Sequence, residues 1–494
     1  MAGTSPRVLP KRRELVPLLF LTFGAVLVHG YHPGIEDAEI YLPAIKKILH
    51  PGLYPFGAEF FQWHSQMSLF DDWVAGFVRL SHLPLDLVLF MGHLASIYLF
   101  LLACLRLNQR CFRDSGASFC GVALVAALLT LPVAGTAVYL LDQYLGPRSV
   151  SSFSILFAIL AILDRRYIRA GFWVVLTAVI HPLVAVFGLF LAMSLWALET
   201  VPFSIFLPTL MVLFGFPLAT PSEAYRRMLL ATPYFFLSQW DWYELLGIFA
   251  PLALFLWFSR VGRKNNLPTL DLLSRTLVAF GLFFIVLELA LTSSESLLSL
   301  VHYQPVRSFH LIYVFLVLFS GGLLGRWVLR KRLWAWLVLF VPLCGGMWYA
   351  QRALYPASPH IEWPGIAPSN DWQRAFTWIR LNTPEDAIFA LDPRYMERPG
   401  EDEHGFRAVA ERSRLADAMK DAGASTWVPN RPLAEHCLEQ VEALKGWKNL
   451  KAGDFERLHR EFGVTWVVLE QPAPGAASLE CPFTNSAVRV CRAP

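Results

Sequence analysis

Charge is scarce in this chain. Only 16% of its 494 residues are charged, while 55% are hydrophobic. A soluble domain carries far more charge on its surface, so a soluble globular protein is excluded. No small-x-small cleavage site follows the first apolar stretch, which therefore reads as a retained helix rather than a removed signal peptide. In the tail, 371–494, glycine motifs that cradle phosphate, metal-ligand spacings and internal repeats are missing too. The seven cysteines are spread thinly, and Cys104, Cys111, Cys120 and Cys344 fall in or near apolar runs, where they read as inert packing residues. Cys481 and Cys491 flank the turn-like CPFTNSAVRVC; they are either bridged or free, and a bridge requires a tail outside the cytoplasm.

What the chain has in quantity is apolar runs. Eleven can be counted: 15–30, 85–105, 119–141, 150–163, 168–180, 183–198, 201–218, 243–258, 272–291, 309–324 and 333–349. Several are short, since about 14 helical residues cover only ~21 Å of a ~30 Å hydrocarbon core. Basic clusters at Lys11–Arg13, Arg106–Arg113, Arg165–Arg169, Arg260–Lys264 and Arg326–Arg332 lie in the gaps. The positive-inside rule puts these gaps in the cytoplasm. They are too brief to suggest a nucleic-acid partner. Two inside gaps need an even number of crossings between them, so the stretch around His181-Pro182 should break into two short helices. Irregular backbone at that depth must line a cavity or be buried in protein.

This gives a polytopic α-helical membrane domain over 1–350, with a long first outer loop at 31–84. The amino terminus is expected inside and the carboxyl terminus outside. A proline-rich linker, 351–370, leads to a small extracytoplasmic α/β domain at 371–494. Within it, 371–381 reads as an amphipathic helix capped by Ser369 or Asn370, 387–391 and 464–469 as buried strands, and 432–445 and 454–462 as helices.

The candidate residues lie in the outer loops. Glu36 and Asp37 follow the first run, where a carboxylate can accept a proton or hold a divalent metal such as Mg or Mn. A helix cap is the equal alternative, because acids suit the start of a helix at 38–49. Asp71-Asp72 is either a second ligand set, giving Asp37 and Asp72 as metal ligands, or the cap of a helix running from Trp73. His181 is a polar ring in a break between apolar stretches. Arg148, Arg226, Arg227 and Arg307 defy the inside bias, and arginine is the natural clamp for phosphate. His302 and His310 flank Arg307 in HYQPVRSFH, and Glu288 is a candidate salt partner for one of these arginines.

Taken together, the first-loop GYHPGIEDAEIYLPAIKK at 30–47, the HPL break at 181–183, and the tail segments WIRLNTPEDAIFALDP at 378–393 and FRAVAERS at 406–413 resemble bacterial members of the GT-C superfamily of integral-membrane glycosyltransferases. The resemblance covers the whole layout. It implies that Asp37 or Glu36 is general base or metal ligand, that His181 and Arg307 hold a donor phosphate, and that the sugar arrives on a polyprenyl-phosphate carrier in a bacterial inner (plasma) membrane. The chain departs from better-known members in having no Asp-x-Asp in the first loop.

The leading expectation is an inverting sugar transferase that moves a sugar from a polyprenyl-linked donor in the lipid bilayer to a glycan, lipid or protein acceptor. Alternatives are a transporter or flippase of lipid-linked sugars, against which the lack of repeats argues, and a non-catalytic subunit of an envelope polysaccharide assembly.

Overall fold

The computed structural model describes residues 12–200, 222–398, 402–427, 432–472 and 478–494. The chain divides into two compact units. The first comprises Met1–Gly30, Met91–Thr220 and Pro233–Ala350; the second comprises Tyr31–Phe90, Pro221–Thr232 and Gln351–Pro494.

The first unit is helical. Among the described residues five helices are long and apolar enough to cross a membrane: Leu85–Cys111, which begins in the second unit, then Trp242–Lys264, Pro268–Thr292, the composite Glu295–Leu329, and Leu333–Leu354. Five shorter apolar helices accompany them: Glu14–His29, Ser115–Ala127, Pro147–Leu163, Tyr167–Ile180 and Pro182–Trp196. The eleventh expected run, 201–218, lies outside the described residues.

Local chemistry sets the helix ends. Asp114 accepts hydrogen bonds from the main-chain N–H of Gly116 (3.2 Å) and Ala117 (3.3 Å) and so starts Ser115–Ala127. Pro147 opens Pro147–Leu163, where its missing N–H costs nothing. Tyr167–Ile180 ends one residue before His181, which is extended (φ −151°), and Pro182 opens the next helix. This is the expected proline break.

One run departs from the expected helix. The apolar stretch 119–141 is not a single helix: the helix stops at Ala127, and the chain then folds back through a bridge between Pro132 and Tyr139. Ala134 and Ala137 take left-handed φ of 45° and 53° there, and Pro132 cannot continue a helical ladder. At Gly135 a Cβ would stand 2.7 Å from the Trp240 ring, so this buried loop needs a residue without a side chain.

The second unit is α/β. Its sheet has the order β2-β1-β3-β5-β4, with β1 Ile388–Ala390, β2 Ser413–Arg414, β3 Trp466–Glu470, β4 Phe483–Thr484 and β5 Val488–Arg492. Strand β1 runs parallel to β2 and β3, whereas β5 is antiparallel to β3 and β4. Phe376, Ile379, Phe389, Phe406, Val467 and Val490 form the dry core. The expected tail helices are present as Asp371–Asn382, Leu433–Ala443 and Ala452–Phe462. Asn370 caps the first of them, accepting from the Trp372 N–H at 2.9 Å. Cys481 and Cys491 are disulfide-bonded, while Cys104, Cys111 and Cys120 are buried free thiols.

The stretch expected as an outer loop is an integral part of this unit. Its helix Ala38–Leu49 packs on the short helix Phe406–Ala410: buried Glu39 accepts from the N–H groups of Arg407 (3.1 Å) and Ala408 (3.0 Å), and Lys46 donates to the Ala408 carbonyl at 2.7 Å. The linker is pinned as well. Glu362 accepts from His32 at 2.7 Å and His404 at 2.9 Å. Burial pushes the Glu362 carboxyl up, but His404 and His32 outweigh it and hold the group well below the usual range.

Candidate active site

The acidic pair is built on a tight turn. Tyr31 is anchored by main-chain hydrogen bonds to His360 and Glu362, at 3.1 and 3.0 Å. Glu36 then takes a left-handed φ of 51°, uncommon for a residue with a Cβ. Asp37 occupies the capping position of Ala38–Leu49, yet its side chain makes no capping hydrogen bond. It turns instead to the Lys420 ammonium, 3.1 Å away, and the same ammonium is in contact with the Glu36 carboxylate. The bland reading of Asp37 as a helix cap therefore does not describe what its carboxylate does.

Lys420 is held firmly. Its side chain is 9% exposed, whereas those of Glu36 and Asp37 are 41% and 30% exposed. Asp417 accepts from the N–H groups of Met419 and Lys420, both at 2.8 Å, and fixes the start of the helix Lys420–Ser425. The next helical residue, Asp421, takes a two-pronged bond from buried Arg407 at 2.9 and 2.8 Å. Arg407 also faces Glu39 at 3.7 Å. Burial pushes Glu39 up to about 7, against the pull of Arg407 and Arg414. His64 is near enough to feel the Asp37 charge; burial pulls its pKa down and Asp37 draws it up. The result is two half-exposed carboxylates on a rigid, charged base.

The second acidic pair is different. The helix Phe70–Ser81 starts three residues earlier than expected, its capping position is Leu69, and neither acid caps it. Asp71 is buried; burial pushes it up to about 7 while a Ser65 hydrogen bond pulls the other way. Asp72 is exposed. Among the described residues no three His, Cys, Asp or Glu side chains gather as metal ligands. Asp37 and Asp72, the expected ligand pair, belong to no such group.

In the first unit, Arg148, His181 and Arg307 line one cavity, together with His310 and apolar residues from Val138, Leu183, Val184, Phe187 and Leu311. Its free space of about 30 Å³ holds little more than a water molecule or two. Arg148 is neutralised by a bidentate pair with buried Asp142, at 3.0 and 2.9 Å. Arg307 donates to the Thr136 carbonyl at 3.2 Å and lies over the Tyr234 ring, 5.0 Å from its centre. No carboxylate of the described residues pairs with it. Glu288 is not its salt partner: both Glu288 oxygens are buried with no hydrogen bond. His302 does not line the cavity; its ring turns to the Ser299 carbonyl. His310 takes its place, with Nε2 2.8 Å from the Leu140 carbonyl. The reason is helical phase, because Glu295–Tyr303 is a 3-10 stretch that ends before Phe309–Leu324 begins. Arg226 and Arg227 pair with Glu223 on the outward face of the second unit's helix Glu223–Leu230.

Lys420 was invisible in the sequence, because it carries no motif and stands 383 residues from Asp37. Asp142 was legible in DQYLGPR as a charge beside Arg148.

No protein-family model matches the chain, and no curated protein matches it by sequence. Among solved structures it is similar to an oligosaccharyltransferase of the archaeon Archaeoglobus fulgidus, crystallised with a tethered acceptor peptide containing the NVT sequon. That alignment has 13% identity and a TM-score of 0.51 and covers 93% of this chain and 69% of that one. The arabinofuranosyltransferase AftD from Mycobacteria aligns at 14% identity with a TM-score of 0.41, over 98% of this chain and 40% of that one. At such identity the likeness to the oligosaccharyltransferase is one of fold. The chain shares its fold with that oligosaccharyltransferase.

Proposed function

We propose that the chain is an inverting glycosyltransferase. It moves a sugar from a polyprenyl-phosphate donor to an acceptor hydroxyl at the extracytoplasmic face of a bacterial inner membrane. In this reading the amino terminus is cytoplasmic, and 371–494, with the first loop 31–84, is extracytoplasmic. The observation that carries it is the engagement of Glu36 and Asp37 by Lys420 instead of by a helix end, on a fold shared with a membrane glycosyltransferase.

The chemistry follows from the groups present. The acceptor oxygen attacks the anomeric carbon, its proton passes to the Asp37 or Glu36 carboxylate, and the bond from that carbon to the carrier phosphate breaks. The phosphate leaves with the electron pair. In the first unit, Arg307, a cation without a carboxylate partner among the described residues, is by itself a candidate grip for a phosphate, with His181 and Arg148 beside it in the cavity. The cavity is nearly closed, so its side chains must part to admit a phosphate.

The test is sugar transfer by the protein reconstituted with lipid-linked donors. Asp37→Asn is expected to lower turnover by about 10²- to 10⁴-fold. Arg307→Ala is expected to cost about 10- to 100-fold, the worth of one charge-assisted hydrogen bond. Equal turnover in all three proteins removes these assignments. A second reading has one observation in its favour: an ammonium clamped on both acids also suits a non-catalytic subunit. Absence of turnover with every donor, in a protein that binds its partners normally, selects that reading.

A further inference from the structure

We propose that Lys420 is a built-in cation for the acidic pair, standing where a divalent metal would otherwise bridge Glu36 and Asp37, so that this pair works without metal. The inference rests on the reading of the pair as the reacting site, but its central measurement does not need turnover.

Three observations carry it. The Lys420 ammonium reaches both carboxylates at once, 3.1 Å from Asp37 and in contact with Glu36, which is the bridging position. The ammonium is not a loose surface charge, because its side chain is 9% exposed and its helix start is fixed by Asp417. Among the described residues no third His, Cys, Asp or Glu joins the pair, so a metal held there would lean on Glu36 and Asp37 with water for the rest of its shell, and those are the two groups the ammonium already engages.

The surrounding charges agree. The other groups bearing on the site are His64, pulled toward neutrality by burial, and the network of Asp417, Asp421, Arg407, Arg414 and Glu39. In that network Arg407 pairs with Asp421 and Glu39, and Arg414 pairs with Asp417. Lys420 itself places its positive charge on Glu36 and Asp37. A divalent ion arriving there would meet this ammonium within a few ångströms and be repelled. Lysine supplies a compact point charge with three donors, enough to bond both acids and still orient a hydroxyl between them. Lys420 is therefore a positioning residue, acting through the carboxylates.

The experiment compares Mn²⁺ binding and turnover in the full chain, wild type against Asp37→Asn, Lys420→Ala, Lys420→Ala/Asp37→Asn, and Lys420→Arg. Electron paramagnetic resonance of titrated Mn²⁺ is expected to show no site in the wild type that Asp37→Asn removes. Lys420→Ala should gain such a site, and the double variant should lose it again. Turnover of the wild type should survive EDTA. Lys420→Ala should fall by tenfold or more in kcat with KM little changed, and Lys420→Arg should recover part of that loss. An Asp37-dependent Mn²⁺ site in the wild type, or loss of its turnover in EDTA, overturns the inference. Failure of Lys420→Ala to gain a site also overturns it. If the Mn²⁺ pattern holds and no donor is turned over, the built-in cation stands and the transferase reading falls.

Discussion

Gly321 lies so close to Gly121 that a Cβ on Gly321 would stand 2.7 Å from the Gly121 Cα and 2.9 Å from the Cys120 carbonyl. This pair lets the helices Ser115–Ala127 and Phe309–Leu324 meet backbone to backbone, and Phe309–Leu324 carries His310 into the cavity. Small residues at a membrane helix crossing gain packing that lipid cannot replace.

Gly321→Val is therefore expected to destabilise the first unit by about 1–3 kcal/mol, the usual cost of overpacking. Gly345→Ala is the control, because a Cβ there meets nothing within 4 Å. Denaturant midpoints of the detergent-purified proteins decide the matter, and equal midpoints would contradict the close crossing.

Arg407 anchors the second unit from a position 1% exposed, with Asp421 and Glu39 both buried around it. Removing the guanidinium leaves two buried carboxylates without it. Arg407→Met should cost about 3–5 kcal/mol in the unfolding of this unit. Arg407→Met/Asp421→Leu should recover part of that loss, since deleting both partners spares an uncompensated charge. A single variant as stable as the wild type would show the pair to be dispensable.

Asp71 gives a pH test whose sign is fixed. Its folded pKa is raised to about 7 by burial, above the unfolded value of about 3.9. The stability linked to it is fully present below about 3.9 and is lost as pH rises toward and through 7. Asp71→Asn stays neutral throughout. The difference between the variant's and the wild type's midpoints should widen in the variant's favour from pH 4 to 7 and level off above. A flat difference would mean that Asp71 is not buried as its helix Phe70–Ser81 places it.

The sequence yielded what short-range chemistry determines. Apolar runs marked the helices, and proline at 182 marked the break beside His181, because a missing N–H acts within one turn. Arg148, Arg226, Arg227 and Arg307 all defied the charge bias, but only Arg148 and Arg307 line one cavity, while Arg226 and Arg227 pair with Glu223. The failures came from long-range packing. Residues 128–141 are as greasy as a helix, but they are a buried loop whose shape depends on Trp240 more than a hundred positions away. Composition cannot separate the two, since both hide apolar side chains. His302 and His310 are equivalent candidates by position, and only the 3-10 geometry of Glu295–Tyr303 turns one of them away. Nothing near Lys420 in sequence announces that it meets Glu36 and Asp37.

The second unit is drawn from three stretches, Tyr31–Phe90, Pro221–Thr232 and Gln351–Pro494, so its earliest part is made long before its last. Translation at about 5–20 residues per second leaves the first stretch waiting some tens of seconds for β3 and β5 to emerge. Until residues 407–411 are made, Glu39 and Lys46 lack the Arg407, Ala408 and Glu411 groups they bond in the finished fold. Nascent chains arrested before the last strand should therefore leave 31–90 open to protease, and a premature stop codon anywhere in the final hundred residues should trigger quality-control degradation of the whole polypeptide.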